Sequence, residues 1–421
     1  SRSSLPPTLL LRPSTPQERS EAHVPDCDLP DYDAPDCDVL ASAAVAGRRR
    51  IGEGLLLVRE AREVSGAPGP SCVPRSMRAM ADPTIDVFGD CPPRFQAVRD
   101  ALRAAVVDDK EVGAALAVSI DGEVVIDLWA GHMDADRRRL WQRNTIVNLY
   151  SVGKALTAIC LLQQVEAGAV EIDAPVARYW PEFAAAGKAD LPVRFLLTHQ
   201  AGLPAVAKEL PAGTALDWDA MCAALAQQSP WWIPGTAHGY HTNTYGFLVG
   251  EVLRRVTGLS VGQYFRRHIA EPGGIDFMFG FGPEHDDRVA DMLPSTNRPT
   301  DAAPPPEMQR KGGSNPPELS GQGIVNSRSW RAAEVPATNG HGNARALARL
   351  YGALAGNGSI DGVHILAPET VAMATSEQVY GRDEMLGRVT RFGLGFQLAM
   401  TERPLGPNFG AFGHFGAGGS L

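Results

Sequence analysis

Tyr150-Ser151-Val152-Gly153-Lys154 leads into Ala155-Leu156-Thr157-Ala158-Ile159-Cys160-Leu161-Leu162, an apolar run that continues to about Glu166. The run is long enough for a helix from Ser151 to Glu166. It is apolar nearly all round, so the helix is expected to be buried. Gly168 fits its C-terminal stop. Helix positions three apart share a face, so the Ser151 hydroxyl and the Lys154 amine can meet. The helix start places partial positive charge beside them. That charge and burial both disfavour an ammonium. A neutral amine can take the serine proton, and the Ser151 amide can help hold an oxyanion. S-x-x-K alone is short and recurs by chance; the opening of a buried helix makes it informative.

Upstream of this stretch, apolar residues recur at helical spacing from Phe95 to Val107. Two strand-like runs follow, Ala114–Ile120 and Glu123–Ala130. Asp121-Gly122 between them is a strong hairpin signal. Downstream, the middle of the chain reads as mainly helical with Pro/Gly loops. Phe195–Thr198 reads as a helix end before a Gly202-Leu203-Pro204 turn. Trp231 to Thr236 reads as a loop, and Tyr245–Val256 as an apolar helix ending at Gly258. Residues 293–320 are rich in Pro, Gly and Asn and read as a long loop. Ala344–Ala355 reads as a helix closed by Gly356-Asn357-Gly358. Gly393–Met400 reads as a strand, and Phe412–Gly416 as the start of the next. The order predicts an α+β fold: an antiparallel sheet flanked by helices, with a large, mainly helical insertion.

Composition narrows the function classes. Hydrophobic residues make up 44% and charged residues 21%, ordinary for a globular chain. A net charge of −9 argues against a nucleic-acid partner. The basic runs Arg48–Arg50 and Arg137–Arg139 are too short to carry phosphate affinity and read as solvated turns. The six cysteines, Cys27, Cys37, Cys72, Cys91, Cys160 and Cys222, form no C-x-x-C pair and no Cys/His set at zinc spacing. They read as reduced thiols of a cytoplasmic protein, with Cys160 in the core. No apolar run of about eighteen residues marks a membrane span, and no signal-peptide pattern is evident. Residues 1–82 are rich in Pro, Ser, Asp and Arg, with Asp-Cys-Asp and Asp-Tyr-Asp units between prolines. They are expected to be a disordered extension. The globular unit is expected to span 83–421, with Met77 or Met80 as a possible natural start.

Two further segments carry chemistry. Tyr240 lies in Pro234-Gly235-Thr236-Ala237-His238-Gly239-Tyr240-His241-Thr242, a loop that leads to a helix. A phenol can relay a proton where cationic neighbours lower its pKa; otherwise Tyr240 simply packs beneath the loop. His414-Phe415-Gly416 precedes Ala417-Gly418-Gly419. A strand glycine often marks close backbone approach, and the Ala417 amide is a candidate second oxyanion donor. Alternatively, this is a glycine-rich turn with an incidental histidine. His238 and His241 lack a third ligand, so they read as loop or rim residues and no metal or cofactor is expected. Trp231 and Trp232 line an acyl pocket or pack against the insertion. There is no G-x-S-x-G nucleophile elbow.

Serine, lysine, a mid-chain tyrosine and a late H-x-G, in that order, resemble the serine β-lactamase-like superfamily, most closely class C β-lactamases and the esterases that share their fold. Phe195-Leu196-Leu197-Thr198-His199-Gln200-Ala201-Gly202-Leu203 looks like the family's L-L-T-H-x-x-G-L segment. Pro234-Gly235-Thr236 with Tyr245-Gly246-Phe247-Leu248 looks like its P-G-T…Y-G-x-L stretch. The resemblance runs from about residue 85 to the end. It implies that Ser151 attacks an acyl carbonyl, that Lys154 and Tyr240 move the proton, and that the amides of Ser151 and Ala417 hold the oxyanion, with His414 and Gly416 beside the substrate. β-Lactamases more often carry the lysine of K-T-G where His414 stands, and an Asn where Thr242 follows Tyr240. An alternative register, His241 to Asn243, restores the Asn and loses the Tyr. Family members continue beyond the H-x-G strand, so C-terminal strands and a closing helix are expected to be missing.

The function expected is therefore a serine hydrolase that forms an acyl-enzyme, foremost a carboxylesterase acting on a small-molecule ester or amide. A β-lactamase or D-Ala-D-Ala peptidase using the same residues is one alternative. An inactive or binding-only fragment of the same fold is another.

Overall fold

The computed structural model describes residues 86–108, 111–294, 304–321 and 323–420. The acidic Pro-rich stretch, the Met77 and Met80 start positions, Arg48–Arg50, Cys27, Cys37 and Cys72 lie outside them.

The Asp-Gly signal does what its chemistry requires. Strands β1 (Val87–Asp90), β2 (Gly113–Ile120) and β3 (Glu123–Gly131) form a three-stranded antiparallel sheet with β3 in the middle. Asp121 and Gly122 both have positive φ, 52° and 84°, the geometry of a type I′ hairpin. Side chains alternate across β2 and β3. Leu116, Ile126 and Leu128 meet Leu102 and Val106 of helix α1 (Gln96–Val107). Asp127 turns the other way, toward the last long helix.

Helix α2 (Val152–Glu166) is buried through its first three turns, from Val152 to Leu162. It packs against helix α3 (Thr244–Thr257), which ends at Gly258 in the left-handed conformation. Helix α4 (Ala344–Ala355) returns the chain to the first sheet, where Arg345 pairs with Asp127 at 2.9 Å. Gly153 has a steric cause: a Cβ there would lie 2.2 Å from the Pro336 carbonyl oxygen.

The C-terminal region differs in detail from the sequence reading. Strands β4 (Val379–Arg382), β5 (Val389–Phe392), β6 (Gln397–Leu398) and β7 (Phe412–Gly413) form a second antiparallel sheet in that order. The β4–β5 hairpin carries no clear sequence signal, because its polar and apolar residues alternate weakly and a loop opening on Asp383 separates its strands. The expected strand Gly393–Met400 shrinks to β6, because Gly395, at φ 87°, turns the chain. His414 breaks the next run: β8 (Phe415–Gly416) pairs with β9 (Gly419–Ser420) instead. The Phe415 N–H donates to the Gln397 side chain at 3.1 Å, which keeps β8 beside β6.

Residues 293–320 are not all loop. Glu307–Ser314 is helical and Pro317–Ser320 forms a 3-10 turn. Helix-poor composition is overridden by tertiary contacts. Lys311, largely buried, pairs with Glu209 at 3.1 Å and Glu307 at 3.3 Å. The Arg137–Arg139 run is a turn with acidic partners: Arg139 meets Asp134 at 3.1 Å and Asp291 at 3.2 Å.

Replacing Gly153 with alanine is expected to cost about 1–3 kcal/mol through overpacking, read as a lower urea midpoint at unchanged m-value. An unchanged midpoint would show that the Pro336 segment yields freely.

Candidate active site

The segment entering the site is clamped before it turns. Val147–Asn148 pairs with His341–Gly342, and Leu149 N–H donates to Gly340 O at 2.8 Å. Tyr150 then takes a left-handed φ of 47°, unusual for a bulky residue, and bridges to Asn339. This kink sets Ser151 as the residue capping α2.

Lys154 is fully buried. Its Nζ lies 3.0 Å from Ser151 Oγ, 2.7 Å from Thr242 O and 3.0 Å from Ala337 O. Burial pushes its pKa well below the ordinary 10.5. A neutral amine has two N–H donors and one lone pair. The two carbonyls take the donors, and the lone pair faces the serine hydroxyl. The proton-accepting arrangement thus follows from the partners, with no carboxylate involved.

Tyr240 stands on the other side of the amine, its ring centre 4.7 Å from Nζ, with Ser151 among the groups that act on its hydroxyl. The sequence reading expected cationic neighbours to lower its pKa. The structure corrects this: burial pushes the phenol up, Ser151 opposes it, the Asp383 charge adds to the rise, and Arg388 and Arg403 offset only part of it. Tyr240 therefore stays a proton donor across the ordinary pH range. In the alternative register, His241 and Asn243 are committed elsewhere. His241 Nε2 accepts from Leu203 N–H at 3.1 Å, and its Nδ1 donates to Gly239 O at 2.6 Å. Asn243 donates to Gly312 O at 2.9 Å and accepts from Thr338 Oγ1 at 2.7 Å.

His238 and His241 are not rim residues; they are buried, at 4% and 0% exposure. With His199, whose Nδ1 accepts from His241 N–H at 3.1 Å, they back the tyrosine. The His199 ring packs 4.8 Å from Tyr240 and 4.8 Å from Phe392. Desolvation, then the neighbouring histidine and lysine, drives the His199 pKa well down; His241 falls to about 3, chiefly by burial. Among the described residues no group of acidic, histidine and cysteine side chains is placed to hold a metal.

His414 is also buried, with its ring 6.1 Å from Tyr240 and Nδ1 donating to Phe415 O at 2.9 Å. Burial and then Lys154 lower its pKa to about 3. Strand β8 runs against the serine: a Cβ on Gly416 would lie 2.1 Å from Leu149 O and 3.2 Å from Ser151 N, and one on Gly418 would lie 1.8 Å from Asn148 O. Glycine at 416 and 418 lets the Phe415–Gly419 segment, with Ala417 at its centre, close on the start of α2. The structure thus brings Ser151, Lys154, Tyr240, His414, Gly416 and Ala417 into one locality. Trp231 donates to Ala205 O at 2.8 Å, and Trp232 stands edge-on to His241, so both pack on the insertion.

Several contributors had no sequence signal. The carbonyls of Thr242 and Ala337 are backbone atoms that any residue supplies. Asp383, which binds Tyr240 N–H, lies in a loop without a motif. His199 lies in the Phe195–Leu203 segment, but nothing local marks its packing against Tyr240.

An S-x-x-K serine at a buried helix start, a buried tyrosine and a glycine strand facing them define a penicillin-recognising serine fold. The β-lactamase family model matches residues 98–421, and the chain belongs to that family. It is 34% identical over 344 residues to the esterase/β-lactamase LipL of Mycobacterium tuberculosis, covering 80% of this chain and 79% of that protein. A solved penicillin-binding protein homologue from Caulobacter crescentus superposes with a TM-score of 0.74 at 40% identity, over 79% of this chain and 88% of that one. A family VIII carboxylesterase superposes with a TM-score of 0.73 at 42% identity, over 80% and 90%.

His414 is expected to remain neutral, with its proton on Nδ1, from pH 5 to 8. Imidazole 15N NMR checks this, and a titration midpoint above pH 5 would contradict it.

Proposed function

We propose that this chain is a serine hydrolase working through an acyl-enzyme on carboxylic esters of small or medium acyl chains, with Ser151 as nucleophile, Lys154 as its base and Tyr240 as proton relay. The observation that carries the reading is the buried Lys154 amine, 3.0 Å from Ser151 Oγ and otherwise held by two carbonyls. Ser151 Oγ forms a bond to the acyl carbon while its proton passes to Lys154 Nζ. The amides of Ser151 and Ala417 stabilise the oxyanion. As the C–O bond to the alcohol breaks, the Tyr240 phenol gives its proton to the leaving oxygen and regains one from Lys154. Water then attacks the acyl-enzyme, with the same groups taking and returning its proton. A phenol held protonated by burial suits the donor role.

Two features favour esters over β-lactams. His414 occupies the place of the family's lysine and is neutral, so it offers no cation to a substrate carboxylate. Asn243 is occupied by Gly312 and Thr338 and is not available to a substrate amide side chain. The family VIII carboxylesterase supports the same choice, while the name of the M. tuberculosis relative covers both activities. Among the described residues no helix is long and apolar enough to cross a membrane. The free, buried thiols of Cys160 and Cys222 support a reducing, cytoplasmic setting.

Hydrolysis of p-nitrophenyl butyrate beside a chromogenic cephalosporin tests the substrate class. The ester is expected to turn over at least about tenfold faster; the reverse order would establish a β-lactamase. Ser151→Ala and Lys154→Ala are each expected to reduce kcat by roughly a thousandfold or more while the circular dichroism spectrum stays native. Full ester turnover by Ser151→Ala would end the assignment.

The pH profile follows from the direction of the lysine shift. The amine is active when neutral, so kcat/KM is lost as pH falls through its lowered pKa and is level above it. Because that pKa lies well below 10.5, the plateau is expected to be reached before that pH. A rate still climbing at pH 10.5 would show an unperturbed amine.

A further inference from the structure

Asp383 opens the loop between β4 and β5 and is fully buried. Among the described residues it has no ion-pair partner. Every group that reaches it is a donor. The Tyr240 N–H points at both carboxylate oxygens, 3.0 Å and 3.1 Å away. The N–H groups of Met385 and Leu386 each donate to Oδ1 at 2.9 Å. The Thr390 hydroxyl donates to Oδ2 at 3.3 Å, and His238 Nε2 lies 2.8 Å from that hydroxyl. A carboxylate buried on hydrogen bonds alone is an expensive way to shape a loop. The two local amides need only a turn; the Tyr240 contact spans 143 positions of sequence. The same hairpin also holds the other end of the tyrosine, because Phe392 of β5 stacks on the Tyr240 ring at 6.1 Å and 12°.

We infer that Asp383 is a positioning residue for the reaction: it fixes the Tyr240 backbone so that the phenol meets Ser151 Oγ, and the β4–β5 hairpin as a whole serves as the mount of the proton relay. This rests on the role proposed for Tyr240. Asp383 touches neither serine nor amine; it reaches the reaction through the tyrosine, by holding its backbone and by a charge that helps keep the phenol protonated, and Thr390→Val separates the two because it leaves that charge in place. A residue that merely stabilised the fold would change the number of competent molecules, not the rate of each one.

The test is a double-mutant cycle on the full chain, with turnover of an alkyl ester such as ethyl butyrate, whose alkoxide must be protonated to leave, divided by the number of Ser151 sites that a fluorophosphonate labels at end point. Asp383→Asn is expected to label to the same end point but to turn over about tenfold more slowly per site. Tyr240→Phe is expected to be slow as well. In that background Asp383→Asn should add less than about twofold, because the group it positions has gone. An unchanged per-site rate in Asp383→Asn, or an equal loss in the Tyr240→Phe background, would overturn the inference while leaving the tyrosine's role intact. Tyr240→Phe at the wild-type rate would overturn that role and the inference with it. If Asp383→Asn does not fold, Thr390→Val removes only the hydroxyl bond to Oδ2. It is expected to slow per-site turnover of the alkyl ester a few-fold, again only when Tyr240 is present, and any other pattern counts against the inference.

Discussion

Much of this structure follows from keeping one amine out of water. Lys154 has no carboxylate to balance it, so it must be neutral or be satisfied by dipoles, and the fold brings two carbonyls from distant segments to it. Thr242 comes from the loop that leads into α3 and Ala337 from the approach to α4. Each of these segments is fixed in turn: Asn243 ties the first to Gly312, and Asn339 ties the second to Trp330 and Ala333 at 2.9 Å and 2.6 Å. The amine therefore cements three parts of the chain, and any shift in one of them reaches the serine.

The same dryness governs the groups around it. The phenol of Tyr240 is raised and the imidazoles of His199, His241 and His414 are lowered, in every case with burial as the largest cause. The result is a site without formal charge on its histidines, in which protons move between neutral partners. That differs from a serine–histidine–aspartate triad, where a buried carboxylate stabilises an imidazolium. Here the buried carboxylate beside Tyr240, Asp383, faces backbone amides and a threonine.

The helix of Ser151, the first hairpin and the insertion's last long helix were legible in the sequence because each is marked locally: an apolar run, Asp121-Gly122 with two left-handed residues, and Gly258 as a stop. Residues Ser151, Lys154, Tyr240 and His414 were legible as a set because their types and order are unusual together. What was not legible depends on contacts across the chain. The helix at Glu307–Ser314 has little propensity of its own and is held by Lys311 and Asn243. The direction of the Tyr240 shift could not be read either, since burial, its largest cause, is a property of the assembled site and has no local mark in the sequence.

The glycines at 416 and 418 carry a consequence for how the molecule is made. During synthesis α2 leaves the ribosome ahead of the glycine strand, with serine and lysine already three positions apart on one face. The strand that seats against Asn148, Leu149 and Ser151 lies far downstream of that helix in the chain. The helix alone thus holds a nucleophile with no wall opposite it. The closed site is a property of two segments distant in sequence that have met, and so a late product of folding.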